Sequence, residues 1–298
     1  MEISSYFFDT NQRVYWLYML SSLLIALYYV WQTPKLRAYF SKAVLWHPSA
    51  RLDYLYFAIS ALLKALVILP LLVGANEVAM VCLNLMYAIF GHFSHAAWSY
   101  ESVVALYTLS IFIAGDFTRY WLHRWLHSVA FLWRFHRVHH SAEVLNPLTF
   151  YRVHPFEHIL FGVRHALSVG VMSAVFLYFF GAKVGTAEFL GANIFVFIFG
   201  MLGANLRHSH IPVRYGIFEK LLVSPYMHQL HHTKEYGHKN FGGVLSIWDR
   251  MFGSWHVNMS DEALHYGLRE GNPHTTLRSI FMEPFVFSKN RVFRSFSE

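Results

Sequence analysis

Six stretches of this chain are apolar over lengths that few soluble folds tolerate: Val14 to Trp31, Leu55 to Ala75, Val78 to Phe93, Ser102 to Gly115, Ile159 to Gly181 and Phe189 to Ala204. A bilayer crossing needs about 20 mostly apolar residues. The first run is flanked by aromatic residues, as expected at membrane interfaces, and the second is interrupted only by Lys64. The third and fourth are short for a full crossing. The last two read as a helical hairpin with a short Gly-containing connection. Charged residues make up 14% of the 298 and apolar residues 55%, with a mean hydropathy of +0.33. A soluble domain usually carries about 25% charged residues, so a freely soluble protein is excluded, and so is intrinsic disorder. The expected fold is all-α: a multi-pass membrane protein with a helical, histidine-bearing cap in the cytoplasm.

The formal net charge is +7. The basic residues flank apolar runs and form no single stripe, which argues against nucleic acid as a partner and for anionic lipid. Basic loops face the cytoplasm. Segment 32–54 carries Lys35, Arg37, Lys42 and Arg51, and segment 116–158 carries Arg119, Arg124, Arg134, Arg137 and Arg152. Both should lie inside, together with the tail from Arg207 onward. An odd number of crossings is then required between 76 and 115, where two apolar runs occur. One true crossing and one re-entrant or interfacial segment are expected. A cysteine-labelling scan that put 32–54 and 116–158 on opposite faces would overturn this topology. Met1 to Thr10 has no basic stretch and does not read as a cleaved signal peptide. The chain divides into anchor helices over 1–100, a catalytic region over 101–258 and a cytoplasmic tail over 259–298, within one domain.

Histidine is the second unusual feature, at 20 residues. Three boxes stand out: His123-Arg-Trp-Leu-His127, His136-Arg-Val-His139-His140 and His228-Gln-Leu-His231-His232. Residues three and four apart share a helix face, so each box aims two or three imidazoles at one point. At this histidine frequency one HxxHH is expected about 0.1 times by chance. Eight imidazoles exceed what one metal takes; eight or nine serve two metals with four or five ligands each. The lone cysteine, Cys82, excludes an intrachain disulfide, thiolate metal sites and iron–sulfur clusters. Imidazole suits zinc, copper, iron and nickel, so spacing gives a dinuclear site without naming its metal. None of the three boxes carries the Glu-x-x-His motif of carboxylate-bridged bundles.

The residues around the boxes carry a resemblance. Asp116-Phe117, Tyr120-Trp121, Leu132-Trp133, Ser141 and Asn146 accompany the first two boxes. Arg152-x-His154-Pro155-x-Glu157, Ser224-Pro225, Asn240-x-Gly242-Gly243 and Trp248-Asp249-Arg250-x-Phe252-Gly253 follow. Together, from about 100 to 255, they resemble the fatty acid hydroxylase / sterol desaturase superfamily. The resemblance implies a membrane-bound non-haem di-iron oxygenase that hydroxylates or desaturates lipid C–H bonds using O₂ and two external electrons. It implies His123, His127, His136, His139, His140, His228, His231 and His232 as ligands. His208 best matches a ninth family histidine, with His210 as the rival or as an outer-sphere group. It also implies a location in the bacterial inner membrane or the eukaryotic endoplasmic reticulum.

Outer-sphere partners are expected among Asp116, Glu143, Glu157 and Asp249, because a ligating imidazole usually donates its second N–H to a carboxylate or carbonyl, and His154, before Pro155, is a further candidate as ligand or outer-sphere group. Aromatic residues Trp121, Trp125, Phe135 and Tyr151 are expected to wall an apolar lipid cleft beside the metals. No CxxCH haem attachment and no GxGxxG dinucleotide motif occur, so no bound haem, flavin or NAD is expected. Electrons must come from a separate reductase, ferredoxin or cytochrome b5-type donor. A membrane zinc hydrolase acting on a lipid ester is the alternative; it predicts activity without oxygen. A histidine-lined metal transporter is weaker still, because Lys64, Asn84, Asn193 and Arg164, with His92 and His165, are the only charged, imidazole or amide side chains within the apolar runs. Alanine at His136, His139 or His140 is expected to abolish activity and lower bound iron, and His274→Ala to be silent.

Overall fold

The computed structural model describes residues 5–68, 74–189, 192–258 and 264–286. Its frame is helical. Helix α1 spans Trp16–Gln32 and stops before Pro34, which cannot extend it. Helix α2 runs over Pro48–Leu63, with the His47 ring accepting a hydrogen bond from the Ser49 N–H at its start. A π-turn, Lys64–Ile68, prolongs it. Helix α3 (Ala75–Phe90) packs along α6 (Pro155–Phe180). Gly170 permits that approach: a Cβ there would lie 2.6 Å from the Val78 side chain and 2.7 Å from the Ala75 carbonyl. Helix α4 (Tyr100–Ser128) is followed, after the single residue Val129, by α5 (Ala130–His140).

The two longest helices set the scale. At 1.5 Å per residue, the 29 residues of α4 reach about 43 Å and the 26 of α6 about 39 Å. Both are long and apolar enough to cross a membrane, and only 22% and 28% of their apolar windows are buried by protein. A core helix of a soluble protein would be mostly covered. On α1 the buried residues are Tyr18, Ser22 and Ala26, one per turn, while Leu20, Leu23, Leu24, Leu27, Tyr28 and Trp31 lie exposed. Such a surface is stable in lipid and not in water.

Two expectations need correction. The run Phe189 to Ala204 is not the second limb of a spanning hairpin. It begins in a two-residue antiparallel ladder, β1 (Glu188–Phe189) with β2 (Ala192–Asn193), followed by the eight-residue α7 (Ile194–Met201), about 12 Å long. Asn193 caps that helix through Phe195 N–H, and Gly203 at φ 80° follows its end. The run Ser102 to Gly115 is not short either, because its helix continues through Asp116 to Ser128. The run Leu55 to Ala75 is helical to Ile68; residues 69–73 lie outside those described.

The cap gathers α5, α8 (Pro225–His231), α9 (Ile247–Met251), α10 (Leu277–Met282) and several 3-10 turns. One fully buried ion pair ties it to α2. Arg152 reaches Asp53 through Nε, the Ser49 carbonyl and hydroxyl through Nη2 (2.6 and 3.0 Å), and the Ser141 hydroxyl through Nη1 (3.2 Å). The second Asp53 oxygen accepts from Asn146 Nδ2 (2.8 Å) and Thr149 Oγ1 (2.6 Å). Both charges are therefore fully hydrogen-bonded, the condition under which a buried pair is tolerated.

Candidate metal centre

The nine histidines singled out above come together as two adjoining groups. One holds His123, His127, His136, His140 and His231; the other holds His139, His208, His228 and His232. Within each group one ring nitrogen per residue lies within 4.8 Å of the others. All nine rings are at most 9% exposed. His140 and His232, from different groups, stack with centroids 4.4 Å apart.

Each box does not serve one point, as the spacing had implied; the HxxHH boxes divide. His136 and His140, four apart, go to the first group, and His139 goes to the second. In the third box His228 and His232 go to the second group and His231 to the first. The reason is angular: four residues advance a helix by about 400°, nearly in line, whereas a neighbour is turned by about 100°.

The polar contacts of the rings fix which nitrogen is bare. Nδ1 of His123 faces the Phe241 carbonyl (2.8 Å), Nδ1 of His231 the Lys239 carbonyl (2.7 Å), Nδ1 of His139 the Arg152 carbonyl (3.3 Å) and Nδ1 of His136 a Glu157 oxygen (3.0 Å). A carbonyl or carboxylate oxygen accepts only, so each Nδ1 carries the proton and each Nε2 offers a lone pair. In the first group the Nε2 atoms of His127, His136, His140 and His231 are buried without a hydrogen-bond partner. In the second, Nε2 of His208 lies 3.1–3.3 Å from those of His139, His228 and His232, and the last two are 3.2 Å apart. Nitrogens at about 2.0–2.1 Å from a common tetrahedral centre would be spaced about 3.3–3.4 Å apart. The donor set therefore fits bound metal: bare imidazole lone pairs converge, and no protein donor serves them.

Burial keeps these rings neutral. It holds His136 and His139 down at about 3, and burial with neighbouring imidazoles holds His140, His208, His228, His231 and His232 well below the usual 6.5. An unfolded chain takes up those protons near 6.5, while the native state resists until about 3. The unfolded state thus binds more protons across that window, and stability falls with acidification. Metal-stripped protein is expected to melt at a lower temperature at pH 5.5 than at pH 7.5, as calorimetry at both values would record.

The outer-sphere candidates separate. Glu157 bonds His136 directly. Asp249 acts one step away: it accepts from the N–H groups of Phe241 (2.7 Å) and Gly242 (2.8 Å) and from Ser254 Oγ (2.7 Å), holding the loop whose carbonyl receives His123. A Cβ at Gly242 would lie 2.7 Å from that carboxylate, so the loop requires glycine there. The hydrogen bonds of Asp116, His154 and His210 go elsewhere. Asp116 accepts from Val244 N, Leu245 N and Trp248 Nε1, fixing the same loop farther along. His154 caps α6 through Phe156 N and turns its other nitrogen to the Phe281 carbonyl. His210 accepts from Leu145 N and stacks on Tyr39 at 4.7 Å, so of the rival pair only His208 stands in the cluster.

Spacing did not disclose Asp53, whose partner Arg152 supplies the carbonyl that receives His139. Nor did it disclose Trp133, whose ring packs on His127 (5.0 Å) and His140 (5.6 Å). His274 is also corrected. It is fully buried, with its ring against the Ser279 carbonyl, so His274→Ala opens a cavity and should cost about 1–3 kcal/mol of stability in a melting experiment.

The expected lipid cleft is placed differently too. A cavity of about 720 Å³ lies between α4 and α6, and Trp121 and Trp125 line it with Phe117, Leu122, Arg164 and Leu167. Its α4 residues, including Ala114, Thr118, Trp121 and Trp125, share one helix face, whereas Asp116, Tyr120, His123 and His127 share the opposite one. Helix α4 thus stands between cavity and imidazoles. Phe135 packs on His154 and Phe156, and Tyr151 on Phe57 and Phe150, away from the cavity.

Residues 108–254 match the fatty acid hydroxylase family model. Human alkylglycerol monooxygenase is 29% identical over 163 residues, 53% of this chain and 32% of that protein. The ornithine lipid hydroxylase of Rhizobium tropici is 29% identical over 161 residues, 53% of this chain and 44% of its own length. The Delta(7)-sterol 5(6)-desaturase of Aspergillus fumigatus is 30% identical over 146 residues, 49% of this chain and 38% of its own. The matched regions thus span between 32% and 44% of those relatives. No solved structure matches the chain. The region that builds both histidine groups, apart from the anchoring Asp53, is a fatty acid hydroxylase domain, and the chain belongs to that superfamily.

Proposed function

We propose that the chain is a membrane-bound, O₂-dependent di-iron oxygenase that hydroxylates or desaturates a C–H bond of a lipid. The observation that carries this reading is the division of nine buried imidazoles into groups of five and four, each with bare lone pairs converging. The five-residue group would hold one iron and the four-residue group the other. No side-chain acid or base removes a proton from an unactivated alkyl carbon, so the hard step belongs to the cofactor. Iron, when bound, supplies oxygen activation, with two electrons delivered by a separate donor protein of reductase, ferredoxin or cytochrome b5 type.

The chain's own residues do the rest. Glu157 and the Phe241, Lys239 and Arg152 carbonyls fix ring orientation and tautomer. Trp133 and Phe241 pack over His127 and keep bulk water from the rings. Helices α4 and α6 cross the bilayer, and their overhang beyond its roughly 30 Å hydrocarbon core carries His123, His127 and Glu157 to the cytoplasmic surface. A zinc hydrolase has little support here, since catalytic zinc takes three protein ligands and leaves the other imidazoles unexplained.

Glu157→Gln keeps the shape but removes the charge that steadies His136. It is expected to lower metal affinity or activity about 10–100-fold, read by iron titration and turnover. The function itself is tested by metal analysis and ¹⁸O₂ labelling of lipid products. Two irons per active chain and ¹⁸O in a hydroxylated lipid, or O₂-dependent loss of two hydrogens, are expected. Full activity without iron, or under strict anaerobiosis, would sink it.

A further inference from the structure

Three arginines around the two histidine groups form no ion pair among the described residues. Arg207 is 2% exposed, precedes His208, and has a buried Nε without a partner. Its Nη2 makes only a long bond, 3.3 Å, to the Val223 carbonyl. Arg13 and Arg119 are half-buried, and their guanidinium groups make no hydrogen bond among the described residues. The only ion pairs among those residues are His136–Glu157 and Arg152–Asp53. The carboxylates whose fields reach them are already committed: Asp116, which acts on Arg119 and Arg207, accepts three hydrogen bonds, and Glu157, which acts on Arg119, is bonded to His136.

Arg13 and Arg207 are both tied to the turn that carries His208, and the field of Arg119 reaches both. Arg13 lies 5.0 Å over the Phe150 ring, and Phe150 packs at 5.9 Å on His208. Asn205 Nδ2 donates to the Arg13 carbonyl (2.8 Å), tying this residue to the turn that carries Arg207 and His208. Arg13 and Arg119 each repel Arg207, and Arg119 repels Arg13. Arg119 sits one turn before His123 on the histidine-bearing side of α4. Each guanidinium rests on an aromatic face: Phe150 for Arg13, Phe161 for Arg119 and Phe199 for Arg207. Stacking holds the plane of the group and leaves its N–H edge for a ligand. Partly buried like charges that repel one another call for an anion, and the guanidinium fork matches phosphate and carboxylate.

We propose that Arg13, Arg119 and Arg207 form a receptor for one phosphate or carboxylate, the anionic headgroup of the lipid substrate, held beside the four-histidine group. The proposal rests on the lipid-oxygenase reading and narrows it to lipids with an anionic polar end. Arg13 lies three residues before Trp16, the first residue of α1, which is 49% exposed, as expected at headgroup depth.

The test is binding, on the full chain in neutral detergent, both metal-loaded and metal-stripped. The probes are palmitoyl lysophosphatidate, monopalmitoylglycerol and inorganic phosphate, titrated by calorimetry. Lysophosphatidate should bind at least about 10-fold more tightly than the uncharged lipid. Arg13→Gln and Arg119→Gln should each erase most of that preference, whereas Arg37→Gln, exposed on the 3-10 helix Pro34–Phe40, should keep it. Melting curves confirm that the variants fold. Equal binding of the two lipids, or an unchanged preference in Arg13→Gln, would overturn the proposal. Phosphate alone binding as tightly as lysophosphatidate would overturn the lipid assignment. Because the metal-stripped protein is included, loss of the oxygenase reading through missing iron leaves this result separately readable.

Discussion

His139→Ala and His140→Ala, at adjacent positions, are expected to fail in different ways. Both should lose turnover to background. His139→Ala leaves three imidazoles in the four-residue group and should lower bound metal toward one equivalent per chain. His140→Ala leaves four in the five-residue group and should retain metal nearer to two equivalents, held more weakly. Metal analysis after dialysis against a graded chelator separates the outcomes. The same metal loss in both variants would contradict the division of the box between two centres. Full activity of His139→Ala would remove it from the ligand set.

Asp53→Ala should be the most damaging substitution outside the histidines. It leaves the fully buried Arg152 without its carboxylate, at a cost of about 3–5 kcal/mol. It also releases Asn146 and Thr149, which shape the turn leading to Arg152, whose carbonyl receives His139. The thermal midpoint and metal content should fall together. Replacing both partners, Asp53→Ala with Arg152→Met, should recover much of the stability, because an apolar pair needs no compensation. Recovered stability without recovered metal would show that the pair also positions His139. No recovery at all would show that the damage lies in the lost side-chain volume.

Eight of the histidines were legible because helical spacing and a strong compositional bias both point to them, and that number already exceeds what one metal takes. The allocation between centres was not legible. It depends on which way α5 and α8 are rotated when they meet, and that is set by packing such as Val138 and Tyr56 in one buried cluster. Asp53 was missed because it lies far in sequence from the boxes, within a stretch where a single carboxylate carries no spacing signal. Hydropathy located α4 and α6 but overextended the run at 189–204, since apolar composition cannot register the local caps that stop a helix after eight residues. The cavity was anticipated from its tryptophans, but the face it occupies follows from the phase of α4 around its own axis.

That phase has a consequence for how damage spreads. In α5 and α8, imidazoles of both groups share a single turn of backbone. A substitution removes one nitrogen and leaves the helix aimed as before, so its effect stays within one centre. One extra residue between Val138 and His139 would turn His139 and His140 by about 100° relative to His136, withdrawing a ligand from each centre at once. Substitutions can therefore resolve the two centres, while an insertion or deletion in either short helix joins their fates.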